Sequence, residues 1–190
     1  MTTIFAFDTA TSVTTCALVR DGVSAGERLT EARSVLDAAA ELTGEAGIGP
    51  KGIDALVVGT GPGSFTSIRI GLATARGLAL ALGIPAAGVS TLLAFDGGVP
   101  VIDARRGEVF TVGPSVMHPG ELEVEGLRLV GDGAVRYREL FEAAGAEIPA
   151  DDDPAHRPSA GLLVEHAAAF GSAEAIEPLY LRAPDAQPSR

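Results

Sequence analysis

The predicted order of elements places this chain in the α/β class, as two successive halves that each open with strands and close with helices. Three observations carry that reading. The apolar run Ile53 to Gly59 is that of a central parallel strand. It leads straight into a glycine-rich turn and a long apolar helix. After Gly97-Gly98 the strand pattern starts again.

The elements follow in order. Thr3 to Asp8 is a short apolar strand that ends in an acid. Val13 to Arg20 is rich in β-branched residues, and Asp21-Gly22 is a strong hairpin turn into a third strand, Val23 to Leu29. Glu31 to Gly47 has helical periodicity, with Val35, Leu36, Ala39, Leu42 and Ala46 near one face and Thr30 as N-cap. Gly47 and Gly49-Pro50 stop it. The strand to Gly59 precedes Gly59-Thr60-Gly61-Pro62-Gly63-Ser64-Phe65-Thr66 and a helix to Leu82, which Gly83-Ile84-Pro85 ends. Ala86 to Val89 is a strand, and Ser90 or Thr91 caps a short helix. In the second half, strands are predicted at Val99 to Ala104, Glu108 to Val112, Glu121 to Val124 and Leu127 to Val130. Helices are predicted at Val135 to Ala144 and Leu162 to Phe170. Pro149 to Ala160 is acidic and proline-rich and reads as an exposed loop. The seam lies near Gly97 to Ala104, giving lobes of residues 1–100 and 101–190.

Composition narrows the function. The chain has 190 residues, 46% hydrophobic and 21% charged, the balance of a soluble globular protein. A chain of this length buries roughly 70% of its extended surface and folds without staples. No run reads as 18 continuous apolar residues, so no membrane partner is expected. No basic n-region followed by an apolar stretch opens the chain. Cys16 is the only cysteine, which excludes an internal disulfide and a cysteine zinc cluster, and the expected compartment is the cytoplasm. The net charge of −11 argues against unaided nucleic-acid binding, though not against RNA as the substrate of a larger assembly. Lys51 is the only lysine and sits in a turn, so neither Schiff-base chemistry nor a lysine-bearing phosphate loop is expected.

Few residues suggest chemistry. The glycine-rich segment is a tight strand-to-helix turn whose free N–H groups can also hold an anion. Asp8-Thr9-Ala10-Thr11 suits an Asx turn, or a phosphate-and-magnesium contact; spacing alone favours the turn. The helix Thr66 to Leu82 is apolar nearly all round, with Arg69 and Arg76 its only charges. Its small residues at four-residue spacing (Gly71 and Ala75; Ala73, Gly77 and Ala81) let another helix approach. It is either a core helix or one whose second face meets a partner. Cys16 alternates with Leu18 and reads as a packed thiol. His118, His156 and His166 show no ligand spacing, so no metal site and no catalytic residue is expected. Asp103 to Phe110 reads as a charged hairpin.

Taken together, six ordered motifs resemble the TsaB (YeaZ) family. They are Phe7-Asp8-Thr9-Ala10-Thr11, Gly61 to Gly71 (GPGSFTSIRIG), Gly77-Leu78-Ala79, Gly88-Val89-Ser90-Thr91-Leu92, Ile102 to Phe110 (IDARRGEVF) and Glu177 to Arg182 (EPLYLR). The resemblance implies an actin, sugar-kinase and heat-shock ATPase fold with two similar lobes, the second one short. It also implies a non-catalytic subunit of the assembly that transfers a threonylcarbamoyl group to N6 of adenosine 37 in tRNA. The implied partners are the catalytic paralogue TsaD, the ATPase TsaE, tRNA only through the complex, and a second copy of the chain when it is alone. The catalytic subunit of such assemblies holds a metal with a histidine pair on a helix; the corresponding helix here, Glu31 to Gly47, has none. No cofactor is expected to bind tightly, since ATP and magnesium serve the whole complex, with a nucleotide contact possible at the subunit interface.

The implied interface is Ile68, Gly71, Leu72, Ala75, Arg76, Gly77, Ala79 and Leu36. On that assignment a bulky residue at Gly71 or a charge at Ala75 blocks the partner and leaves the fold intact. A nucleotide or anion would meet Asp8, Thr9, Gly61, Gly63 and Ser64. Ser67 stands where the family usually has glycine, and Phe110 where it usually has tyrosine. The competing reading is a small-molecule kinase or ATPase of the same superfamily, on the strength of Asp8-Thr9 and the glycine-rich turn.

Overall fold

The computed structural model describes residues 1–182. Its first sheet begins as a meander of β1 (Thr3–Asp8), β2 (Thr14–Arg20) and β3 (Val23–Thr30). Asp21 and Gly22 link β2 to β3 with φ of 50° and 78°, the two left-handed positions that match a hairpin's twist. A 3-10 turn, Ala32–Ser34, leads into α1 (Val35–Glu45). Then come β4 (Ala55–Gly59), α2 (Phe65–Leu82) and β5 (Ala86–Val89). The strand order is β3-β2-β1-β4-β5, with β4 parallel to β1 and β5 parallel to β4. Alternation along β1 sends Phe5 and Phe7 to the face that α1 and α2 cover, with Leu56, Val58, Ile68 and Leu72. Ala6, Ala17, Val57 and Ala87 face the other way, under Leu163.

The second sheet holds β6 (Val99–Arg105), β7 (Glu108–Thr111), β8 (Ser115–Met117) and β9 (Leu129–Val130), in the order β8-β7-β6-β9. An antiparallel meander followed by a strand parallel to its first member repeats the β3-β2-β1-β4 pattern. The counterpart of β5 is absent among the described residues. Gly131 then turns the chain into α3 (Asp132–Arg136), as the glycine-rich segment turns it into α2. After α4 (Arg138–Ala143), the chain returns to the first sheet as α5 (Ala160–Glu165), so residues 160–176 pack there although they come late in the sequence.

Four elements differ from the sequence expectation. No strand forms at 121–124. Pro119 cannot donate to a ladder and opens a 3-10 turn, Pro119–Glu121, so the third strand of the meander falls earlier, at Ser115–Met117. The helix expected from Val135 breaks at Tyr137 (φ −111°, ψ 26°), which turns its ring edge-on to Phe141 with centroids 6.4 Å apart. The last helix starts two residues early. Ser159 caps it, and Glu27 of β3 accepts the Ala160 N–H at 2.7 Å. It also ends early, because Gly171 pairs with Ala86 and the chain must be extended by then. Finally, the acidic loop is pinned rather than free. His156 is buried, its Nδ1 accepting the Gly131 N–H and its Nε2–H donating to Pro149 O, each at 3.2 Å.

With 18 residues and a mean hydropathy of 1.2, α2 is long and apolar enough, by length and composition, to cross a membrane, against the expectation from its sequence. Here it lies on β4 with one side sealed into the core.

Candidate docking face and interlobe cleft

Helix α2 has two apolar faces. Ser64 caps its start, accepting the Ser67 N–H, and Gly83 ends it in the left-handed conformation (φ 68°). Ile68, Gly71, Leu72, Ala75 and Ala79 are buried against the chain's own sheet. These five belonged to the expected docking set, and the structure removes them from it: they are interior. Gly71 is interior because the helix lies against Thr9, whose Oγ1 would stand 2.4 Å from a Cβ at that position.

The opposite face presents Ile70, Ala73, Gly77, Leu80 and Ala81 to solvent, with Leu80 86% exposed. Gly77 has nothing within 4 Å of a built Cβ. Leu36 on α1 is 55% exposed. Of the expected set, Gly77 and Leu36 are therefore on the surface. Arg76 sits at the edge, where its Nη2 donates to Ile176 O at 3.1 Å. Four-residue spacing of small side chains occurs on both faces, so the spacing could not say which face the sheet would take.

The glycine-rich segment is a joint rather than a ligand loop. Asp8 is fully buried and accepts two hydrogen bonds at 2.6 Å, from the Ala10 N–H and the Thr91 hydroxyl. The Thr91 oxygen in turn accepts the Gly61 N–H at 3.0 Å. Burial pushes the Asp8 carboxyl above its usual range, and these two donors oppose the shift. A Cβ at Gly59 would fall 1.9 Å from an Asp8 carboxylate oxygen, and one at Gly63 2.2 Å from Ala10 O. The Thr9 hydroxyl donates to Ser67 O at 2.7 Å. Asp8, Thr9 and Gly61 are thus consumed by internal bonds and do not fit the magnesium and phosphates of a nucleotide. Gly63 and Ser64 do face open space. The role of Thr91 is what sequence reasoning missed: of the two expected caps, Ser90 or Thr91, Ser90 takes the cap, and the Thr91 hydroxyl goes to Asp8 instead.

Between the lobes lies a cleft of about 490 Å³. Ala10 to Ser12 and Gly63 to Ser67 form its first-lobe wall, Ile102 to Arg106 and Asp132 its second-lobe wall. Ser12 Oγ donates to Asp132 Oδ2 across it at 3.2 Å. Asp103 is engaged by Arg105 at 3.2 Å and Arg136 at 3.3 Å. Among the described residues no three His, Cys, Asp or Glu side chains gather as a metal-binding group.

Cys16 is buried in β2, and burial, helped by nearby Glu27, pushes its thiol up to about 12. A thiol reagent at neutral pH is expected to leave the folded chain unlabelled and to label it fully in denaturant. The folded thiol keeps its proton while the unfolded one ionises at its ordinary 9.0. Stability from this group is therefore complete below pH 9.0 and falls as pH rises from there toward about 12.

Comparison with known proteins fits this architecture. A family model described as "TsaD: tRNA N6-adenosine threonylcarbamoyltransferase" matches residues 30–121. An uncharacterized protein of Mycobacterium tuberculosis is 37% identical, over 99% of this chain and 95% of its own. The tRNA threonylcarbamoyladenosine biosynthesis protein TsaB of Escherichia coli is 39% identical, over 56% of this chain and 52% of its own. The solved structure of YeaZ from Pseudomonas aeruginosa superposes with a TM-score of 0.77 at 26% identity, covering 95% of this chain and all of that one. The chain belongs to the TsaB (YeaZ) family. Its two lobes have the actin, sugar-kinase and heat-shock ATPase fold. The match to the E. coli TsaB spans about half of that protein's length.

Proposed function

We propose that the chain is a scaffold subunit in tRNA threonylcarbamoyladenosine biosynthesis. In this reading it performs no chemistry itself and docks the catalytic paralogue TsaD through the exposed face of α2. One observation carries it: Ile70, Ala73, Gly77, Leu80 and Ala81 form an uncovered apolar stripe on a helix whose other side is already packed. Small side chains along such a stripe let a second helix come close, and a partner helix of the same lobe architecture has the shape to do so. The family model for TsaD, which matches the region containing α2, supports a partner built like this chain. A second copy of the chain would use the same stripe when the partner is absent.

The supporting chemistry is negative in charge and sparse in function. The chain's −11 charge suits contact with tRNA only through the assembled complex. The internal bonding of Asp8 argues against a kinase-like nucleotide site in this subunit. ATP and magnesium would serve the complex, with TsaE as the ATPase and any nucleotide at a subunit interface, in the cytoplasm.

Light scattering on the chain mixed with the TsaD paralogue of the same organism tests the reading. The expected result is a one-to-one species, and loss of threonylcarbamoylation of tRNA when this chain is omitted. No complex, with modification unchanged by the omission, would overturn it.

A further inference from the structure

The segment Glu177 to Arg182 leaves the first lobe and runs along the mouth of the cleft to the second. Its beginning is fixed to β4 and α2. The Leu179 N–H donates to Thr60 O at 2.8 Å. Arg69 Nε donates to the Tyr180 hydroxyl at 3.1 Å, while its guanidinium lies 3.9 Å above the Phe65 ring. The rings of Phe65 and Tyr180 are 4.7 Å apart. Its end is fixed to the second lobe. Leu181 packs on the cluster of Ile102, Ala104 and Phe110, which also takes in Leu92 of the first lobe. Arg182 pairs with Glu108 at 2.5 Å and also donates to the Ala104 carbonyl.

Three properties make this more than a tail crossing a surface. The segment has no helix or strand of its own, so the Leu179 N–H and the side chains at its two ends hold it. Both members of the Arg182–Glu108 pair are about a quarter exposed, where a charge-assisted bond is stronger than on an open surface. On the opposite wall the lobes meet through the exposed Ser12–Asp132 bond, which is weaker. We infer that Leu179 to Arg182 is a clasp that sets how far the interlobe cleft opens, held by Arg69 and Phe65 on one lobe and by Arg182 on the other. Opening requires release of one end of the segment, either Arg182 from Glu108 and the Ala104 carbonyl or Tyr180 from Arg69 and Phe65. This inference stands apart from the docking reading, because it concerns the isolated chain.

The test places spin labels at Asp37→Cys and Glu123→Cys, exposed positions in the two lobes. Native Cys16 is buried and stays unlabelled. The unaltered clasp is expected to give one narrow distance distribution. Arg182→Ala broadens it toward longer distances, and Tyr180→Ala does the same from the other end. Amide exchange in β7 and in residues 63–67 quickens about 10-fold or more, while β1 and β4 stay protected. An unchanged distribution and unchanged exchange in both variants would overturn the clasp. So would exchange that rises uniformly through both sheets, which is loss of global stability and not opening.

Discussion

Gly77→Arg is expected to weaken binding of the TsaD paralogue by about 100-fold or more, and to leave the isolated chain at least as stable as before. The two halves of this result have separate causes. Nothing lies within 4 Å of a Cβ at Gly77, so the new side chain projects from the exposed stripe into solvent without disturbing the fold. Arginine is also a better helix former than glycine by up to about 1 kcal/mol, which raises the melting temperature by about 2–4 °C in a chain of this size. In a complex the same side chain stands where a partner helix must come close. A guanidinium held in such a contact without a counter-charge costs several kcal/mol, enough for the loss of affinity. Titration calorimetry against the paralogue, with thermal melts of both chains, checks it. Undiminished binding would place the partner on another face.

The fold was largely legible because its signals are local. The Asp21-Gly22 hairpin, the run into Gly59, the Gly83 stop of α2 and the strand Ala86–Val89 are each marked by residues within or beside the element. What could not be read was set by distant partners. The start of α5 depends on Glu27, more than 100 residues earlier, and the burial of His156 depends on Gly131 and Pro149. The candidate site shows the same division. Periodicity marked α2 as apolar on more than one side, and this was right. Which side faces inward was decided by Thr9, on a loop that the helix pattern does not contain. Likewise Asp8 at a strand end has the same sequence signature whether it faces a ligand or, as here, its own Thr91.

Gly71→Leu is expected to lower the stability of the isolated chain by about 3 kcal/mol or more, a drop of roughly 6–12 °C in melting temperature. This reverses the expectation from sequence, in which Gly71 was a surface position. The Thr9 Oγ1 lies 2.4 Å from the Cβ that any side chain there would carry, and it is tied to Ser67 O, so it cannot swing away freely. The smaller change separates this cause from a general intolerance of the helix. Gly71→Ala should destabilise the native chain, because the clash with Oγ1 exceeds the helix-propensity gain of about 1 kcal/mol. In a Thr9→Ala background the oxygen is gone, and the nearest remaining atom of residue 9, its Cβ, lies at an ordinary 3.5 Å. There the same Gly71→Ala change should stabilise by up to about 1 kcal/mol, since the propensity term is left unopposed. A double-mutant cycle by denaturant unfolding reads this reversal of sign directly. If Gly71→Ala destabilises equally in both backgrounds, Thr9 does not set the position of α2, and the inward face of the helix is held by the sheet alone.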